Sequence, residues 1–199
     1  MFDNFQGQIV VATKRFNVKE LNHLYSLGYK NFGVQTSKEL ILLKKSFYGY
    51  DIRWHFIGNL QSNKVKDVIN EIEYLHSLSR LSQISEINKH LKNTLKVFIQ
   101  VNTSNESAKN GIFPHQLPNF IQECQKIDKI KVIGLMTVGN QDCTLSEKCF
   151  SLLNELAKMQ QLSELSMGMS GDYLNAIKYG ATYIRLGTIL RSKLNGNSE

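Results

Sequence analysis

The feature that most restricts how this chain can fold is a rhythm: short apolar, β-rich runs alternate with amphipathic stretches along all 199 residues. The runs are 10–14 (VVATK), 31–35 (NFGVQ), 54–58 (WHFIG), 74–78 (YLHSL), 96–101 (KVFIQV), 131–138 (KVIGLMTV), 165–170 (LSMGMS) and 182–186 (TYIRL). Runs of this length suit strands buried on both faces, and strand–helix alternation with short connections selects parallel βα units. Such units open into a doubly wound sheet or close into a barrel. Eight strands are the number that closes, so the expected fold is α/β, a single (β/α)8 TIM-type barrel spanning residues 1–199.

Helix signals fall between the runs. Residues 17–20 (NVKE) form a capping box ahead of Leu21, Leu24 and Leu27, and Gly28 stops that stripe. Residues 36–39 (TSKE) repeat the pattern before Leu40, Ile41 and Leu43. Residues 61–64 (QSNK) start a third helix through Val65 and Val68, and Ser79 caps a fourth carrying Leu81, Ile84, Ile87 and Leu91. Pro114 opens a fifth with Leu117, Phe120, Ile121 and Cys124. Residues 144–147 cap a sixth with Phe150, Leu153, Leu156, Ala157 and Met159, and a short seventh ends at Gly180. Both ends are short for a barrel, with residues 191–199 alone expected beyond the last strand unit.

Composition narrows the class. With 42% hydrophobic and 21% charged residues the chain reads as globular. No apolar run approaches a membrane span and residues 1–8 (MFDNFQGQ) do not read as a signal peptide, so the expected location is cytoplasmic. Cys124, Cys143 and Cys149 lack CxxC spacing and read as core or incidental thiols; the five histidines form no HxxxH or HxH. A net charge of +7 suits an anionic partner. The lysines are spread over helical stretches without a nucleic-acid-binding motif, which leaves nucleic acid a minor possibility beside a phosphorylated small molecule.

The chemistry concentrates at strand ends, where ligand sites of parallel sheets and barrels lie. Lys14 closes the first run, sharing a strand face with Val10 and Ala12. It is positioned either as a Schiff-base amine or as an ordinary surface lysine. Ser170-Gly171 and Gly187-Thr188 follow strands seven and eight, the loops that often hold phosphate in this architecture, although Ser, Gly and Thr also end many strands. Asp172 suits the start of a helix. Arg185 shares a face with Gly187, and spacing leaves open whether it points inward to an acceptor or outward into a salt bridge.

Several segments together carry a resemblance: VATK (11–14), FG (32–33), WHFIGNLQSNK (54–64), IQVNTSNESAKNGI (99–112), GLM (134–136), LSMGMS (165–170) and IRLGT (184–188). In this order they closely resemble the pyridoxal-phosphate homeostasis family, the YggS/PROSC group, whose fold is similar to the barrel domain of alanine racemase. The resemblance implies that Lys14 holds pyridoxal 5′-phosphate (PLP) as an internal aldimine. It implies phosphate binding at Ser170, Gly187 and Thr188, an Arg185 beside the pyridine nitrogen, and Asn63 and Met167 near the ring. Trp54 and His55 read as packing or supporting groups, and Lys109 as either a solvated loop lysine or a transient acceptor of the aldehyde.

An arginine against the ring nitrogen disfavours its protonation and makes the cofactor a poor electron sink. The resemblance and that chemistry together imply a PLP carrier, without substantial turnover, that serves PLP-dependent apo-enzymes as a monomer or weak dimer. A weak amino-acid racemase is the enzyme alternative, and an anion- or RNA-binding barrel the other. Three features depart from the family: Val34-Gln35 replaces an acid and an amide after FG, residues 189–192 differ from the usual AxFG, and few residues precede VATK.

Overall fold

The computed structural model describes residues 5–104, 106, 109–139, 143–194 and 196. Residues 105, 107 and 108 of the IQVNTSNESAKNGI segment lie outside them, as do the side chains of Cys143 and Thr144.

The alternating runs form β1 (Gln8–Ala12), β2 (Asn31–Val34), β3 (Arg53–Phe56), β4 (Tyr74–Leu78), β5 (Leu95–Gln100), β6 (Ile130–Met136), β7 (Glu164–Ser166) and β8 (Tyr183–Leu186). Each pairs in parallel with the next, and β8 returns to β1 with Val10 opposite Arg185 and Val11 opposite Leu186, which closes an eight-stranded barrel. Around it lie α1 (Val18–Ser26), α2 (Ser37–Ser46), α3 (Val65–Val68), α4 (Leu81–His90), α5 (Leu117–Gln125), α6 (Cys143–Met159), α7 (Tyr173–Lys178) and α8 (Thr188–Leu194).

The pleat sorts side chains into two separate cores. Val11, Phe32, Val34, Trp54, Leu75, Val97, Ile99, Leu135, Ile184 and Leu186 face outward and pack against Leu21, Leu24, Leu40, Ile87, Leu117, Phe150 and Leu153 of the helices. Each such side chain, fully buried, stabilises the barrel by about 1.5–3 kcal/mol. The inner cluster is smaller: Val10, Tyr74, Phe98, Met136 and Tyr183, with Ile57 and Ile133. Gly33 faces this interior, and a Cβ there would stand 2.7 Å from Val10 Cγ1 and 3.0 Å from Ile57 Cδ1. The residue paired with Ala12 therefore has to be a glycine.

The expected elements are present with informative shifts. Lys14 leaves the strand and sits on a 3-10 turn, Thr13–Arg15. The first capping box forms as expected, Asn17 Oδ1 accepting the Glu20 N–H and Glu20 Oε2 accepting the Asn17 N–H. Leu27, however, caps α1 and is 54% exposed, outside the buried stripe. Gly28 follows with φ +94°, letting the Tyr29 N–H return to the Leu24 carbonyl. The third helix is one turn of α-helix behind a 3-10 turn, Ser62–Lys64. α4 is capped at Arg80 instead of Ser79, because Gln83 Oε1 accepts both of their backbone N–H groups. Leu81 and Met159 point outward, at 60% and 75% exposed, since each lies at a helix end where the core no longer reaches.

Pro114 opens a 3-10 turn, Pro114–Gln116, ahead of α5. β7 ends at Ser166, earlier than the run suggested, because Gly168 turns the chain at φ +90°. An eighth helix, α8, follows the last strand and anchors Leu190 in the core. No helix among the described residues is long and apolar enough to cross a membrane.

Candidate ligand site at the barrel mouth

Lys14 is exposed at the carboxyl end of β1. Its turn is pinned from beneath by buried Thr13, whose Oγ1 lies 2.6 Å from Glu39 Oε1 and 3.0 Å from the Gly33 carbonyl. The other carboxylate oxygen of Glu39 accepts the Gln35 N–H at 2.8 Å. One carboxylate thus ties the Lys14 turn to the loop after β2. Val34 faces the helices, fully buried, so the departure from the family at that position falls in the outer core and not at the mouth. Gly187 stands beside the same turn: a Cβ there would lie 3.5 Å from the Ala12 Cβ and 3.8 Å from Arg15 Cγ.

The loops after β7 and β8 meet as expected. Ser170 Oγ accepts the backbone N–H groups of Gly187 and Ile189, both at 3.3 Å. These N–H groups open α8, and Thr188 is its first residue. A cleft of about 540 Å³ lies against them, lined by Ser170, Gly171, Tyr173, Thr188, Ile189, Ser192 and Lys193. The lining offers hydroxyls, a lysine and a helix N-terminus with no carboxylate among them, a donor set that fits a phosphate group. Asp172 is the N-cap residue of α7, and its carboxylate accepts the Met169 N–H at 2.6 Å.

The structure settles the direction of Arg185, which points inward and is 5% exposed. Its Nη1 donates to Ser166 Oγ at 2.7 Å and its Nη2 to the Thr137 carbonyl at 2.9 Å. Burial lowers its pKa to about 10, which leaves it charged at neutral pH. Beyond Ser166 the contacts continue: Ser166 Oγ to His76 Nδ1 at 2.7 Å, His76 Nε2 to His55 Nδ1 at 2.9 Å, and His55 Nε2 to Asn31 Oδ1 at 3.2 Å. Asn31 Nδ2 donates to Gln8 Oε1 at 3.1 Å. His55 stacks on Tyr74 at 4.3 Å and His76 on Phe98 at 4.4 Å. Burial, with smaller contributions from Arg53 and Lys96, pushes His55 down to about 3. His76 is held well below the usual histidine range by burial, then by His55 and Arg185. Both are neutral at pH 7.

Neither histidine stood out from sequence spacing, since the pair is brought together by adjacent strands. The available signal was parity: His55 and His76 both occupy mid-strand positions on inward faces of β3 and β4. The structure gathers Lys14, Ser170, Arg185, Gly187 and Thr188 at the carboxyl ends of β7, β8 and β1. Asn63 lies apart from them, exposed on the turn after β3, and Met167 is fully buried in the outer cluster with Ile184 and Leu186. Lys109 pairs with Glu106 at 2.8 Å beside a cleft of about 220 Å³ that Thr137 also lines. Cys124 and Cys149 are buried free thiols, and burial pushes the former up to about 12. No cluster of metal-ligating side chains occurs among the described residues.

Comparison with known proteins agrees with this fold. The family model described as "Alanine racemase, N-terminal domain" matches residues 14–192. The pyridoxal phosphate homeostasis protein of Schizosaccharomyces pombe is 33% identical, over 93% of this chain and 84% of its own length. That of Aquifex aeolicus is 34% identical, over 92% and 86%. Among solved structures, PipY of Synechococcus elongatus with PLP bound superposes with a TM-score of 0.85 at 26% identity, over 92% of each chain. An alanine racemase of Clostridium difficile shares the fold, at a TM-score of 0.75 and 16% identity, over 92% of this chain and 51% of that one. With the family model matched over most of its length and relatives of this name at 33% and 34% identity, the chain belongs to the pyridoxal phosphate homeostasis protein family.

Proposed function

We propose that this chain binds pyridoxal 5′-phosphate at the barrel mouth, as one domain of the cytoplasm, and holds it for delivery to PLP-dependent apo-enzymes without substantial turnover. The observation that carries this reading is the anchoring of Arg185, a buried donor fixed on both of its terminal nitrogens. When bound, PLP supplies an aldehyde that condenses with amines and a pyridine ring that acts as an electron sink if its nitrogen is protonated. Arg185 offers that nitrogen a charged N–H and no proton that it can release at neutral pH.

Lys14 would hold the cofactor through its Nζ, the amine within this site that the PLP aldehyde would engage reversibly. Its exposed position leaves it open to the aldehyde. Ser170, Thr188 and the N–H groups that open α8 hold the phosphate, and Gly187 keeps space for it beside β1. Asn63 and Met167 are assigned near the ring on the resemblance, Asn63 from the exposed turn after β3 and Met167 from its buried place after β7. The PLP-bound relative and the names of the homologues support the same reading. A monomer or weak dimer suffices for it.

The test is an absorbance titration of the purified protein with PLP, for wild type and Lys14→Ala. The expected result is a visible band in the wild type, absent in the variant and fixed covalently on Lys14 by borohydride. No band in the wild type overturns the reading. Steady interconversion of alanine enantiomers that disappears in Lys14→Ala would replace storage with catalysis.

A further inference from the structure

Among the contacts inside the barrel, one continuous line runs from Arg185 to Gln8, and the donor on each of its links can be assigned from both ends. Arginine has only donors, so Ser166 Oγ accepts from Nη1 and its own proton is free to go to His76 Nδ1. At the other end Asn31 gives its Nδ2–H to Gln8, so its Oδ1 is an acceptor and His55 must present Nε2–H. His55 Nδ1 is then an acceptor, which requires Nε2–H on His76 and a bare Nδ1 towards Ser166. The two deductions meet at His76 without conflict. Every donor in the line points away from the mouth, and both imidazoles carry the Nε2–H tautomer.

We propose that Ser166, His76 and His55 are positioning residues for Arg185, forming a one-way donor line that fixes its guanidinium at the barrel mouth and bars proton delivery from below. A proton moving up the line would have to end on a guanidinium with no lone pair to receive it. Reversing the line would require turning the hydroxyl, both imidazoles and the Asn31 amide together inside a packed interior. Stacking on Tyr74 and Phe98 holds the two rings in the planes that the line requires. The Thr137 carbonyl takes the second arm, so the guanidinium cannot rotate about its Cζ–Nε bond without losing both partners.

The positioning role towards PLP rests on the proposed function, whereas the line itself is testable without any ligand. In the ligand-free full-length protein, long-range proton–nitrogen NMR spectra at neutral pH should show both His55 and His76 as neutral Nε2–H tautomers. The two Nη nitrogens of Arg185 should give separate signals in wild type and merge in Ser166→Ala. An Nδ1–H tautomer or an imidazolium at either histidine overturns the line, whatever the protein does with PLP.

The second arm uses PLP and three variants. Ser166→Ala and His76→Phe, the latter retaining a ring against Phe98, should each weaken PLP binding by ~10- to 100-fold, the scale of one lost bond to a charged group. They should also add a protonation step to the absorbance of bound PLP between about pH 6 and 9, which a merely structural defect would not create. His76→Asn keeps an acceptor near the Nδ1 position and should recover most of the affinity and the wild-type pH profile. Variants that bind PLP as wild type does, with an unchanged pH profile, overturn the positioning role and leave the proposed function standing. A wild type that takes up no PLP overturns the proposed function and with it the positioning role, while the NMR arm still decides the line.

Discussion

Glu39 shows how much of the mouth rests on one side chain. It looks like the second half of a capping box, and Thr36 Oγ1 does accept its N–H at 3.2 Å. Its carboxylate turns instead to Thr13 and Gln35, joining the ends of β1 and β2. Glu39→Ala should therefore cost about 1.5–3 kcal/mol, the range for bonds to a charged group, read as a lower urea midpoint. PLP affinity should fall with it as the Lys14 turn loosens; unchanged stability and affinity would show the tie to be idle. At this scale the residues whose position follows from their own strand were legible. Lys14, Ser170, Gly187 and Thr188 are read from the strand ends they occupy. Arg185 was half legible, because parity puts it on Gly187's face but cannot say which face is inside. The line through His55 and His76 was not, because each link joins different strands and a linear spacing carries no such information.

Elements were legible wherever a local signal agreed with tertiary packing. α1 is the clear case: its capping box forms at both bonds, and Asn17→Ala should lower stability by about 1 kcal/mol while leaving PLP binding intact. A thermal melt beside a PLP titration checks this, and no shift in melting would mean that the exposed cap contributes nothing. Where the local signal stood alone, tertiary structure overrode it. The QSNK start yields one turn of α3, since the chain must enter β4 shortly after Val68. Ser79 loses its capping role to Gln83, which reaches back from inside α4 and also donates to the Leu60 carbonyl at 2.6 Å. α8 was missed because no stripe of three or more apolar residues announces it; Leu190 alone is buried there among its residues. That short helix nevertheless supplies the N–H groups on which Ser170 closes.

For the whole molecule, the alternation of strands and helices was enough to anticipate a closed barrel, while the division of its interior into an apolar inner cluster and a polar line needed the three-dimensional register. The buried histidines make stability depend on pH. Unfolded, each has a pKa of about 6.5. Folded, His55 stays neutral down to about 3 and His76 is likewise held well below its usual range. The folded pKa values are lowered, so stability is full above about pH 6.5 and declines as the unfolded chain takes up protons that the barrel refuses. His55 contributes about 1.4 kcal/mol per pH unit of that decline, or about 2 kcal/mol by about pH 5, and His76 adds to it with the same sign. His76→Phe should make that slope shallower in urea titrations, and a flat wild-type profile between pH 7 and about 5 would refute the dependence. The pairing of β1 with β8 also has a consequence during synthesis. Lys14 leaves the ribosome before seven further strands are made, and the strand beside it, β8, and the loops after β7 and β8 follow only then. A chain cut short of α8 lacks one wall of the proposed pocket, so cofactor loading during synthesis should begin only once that helix has been made.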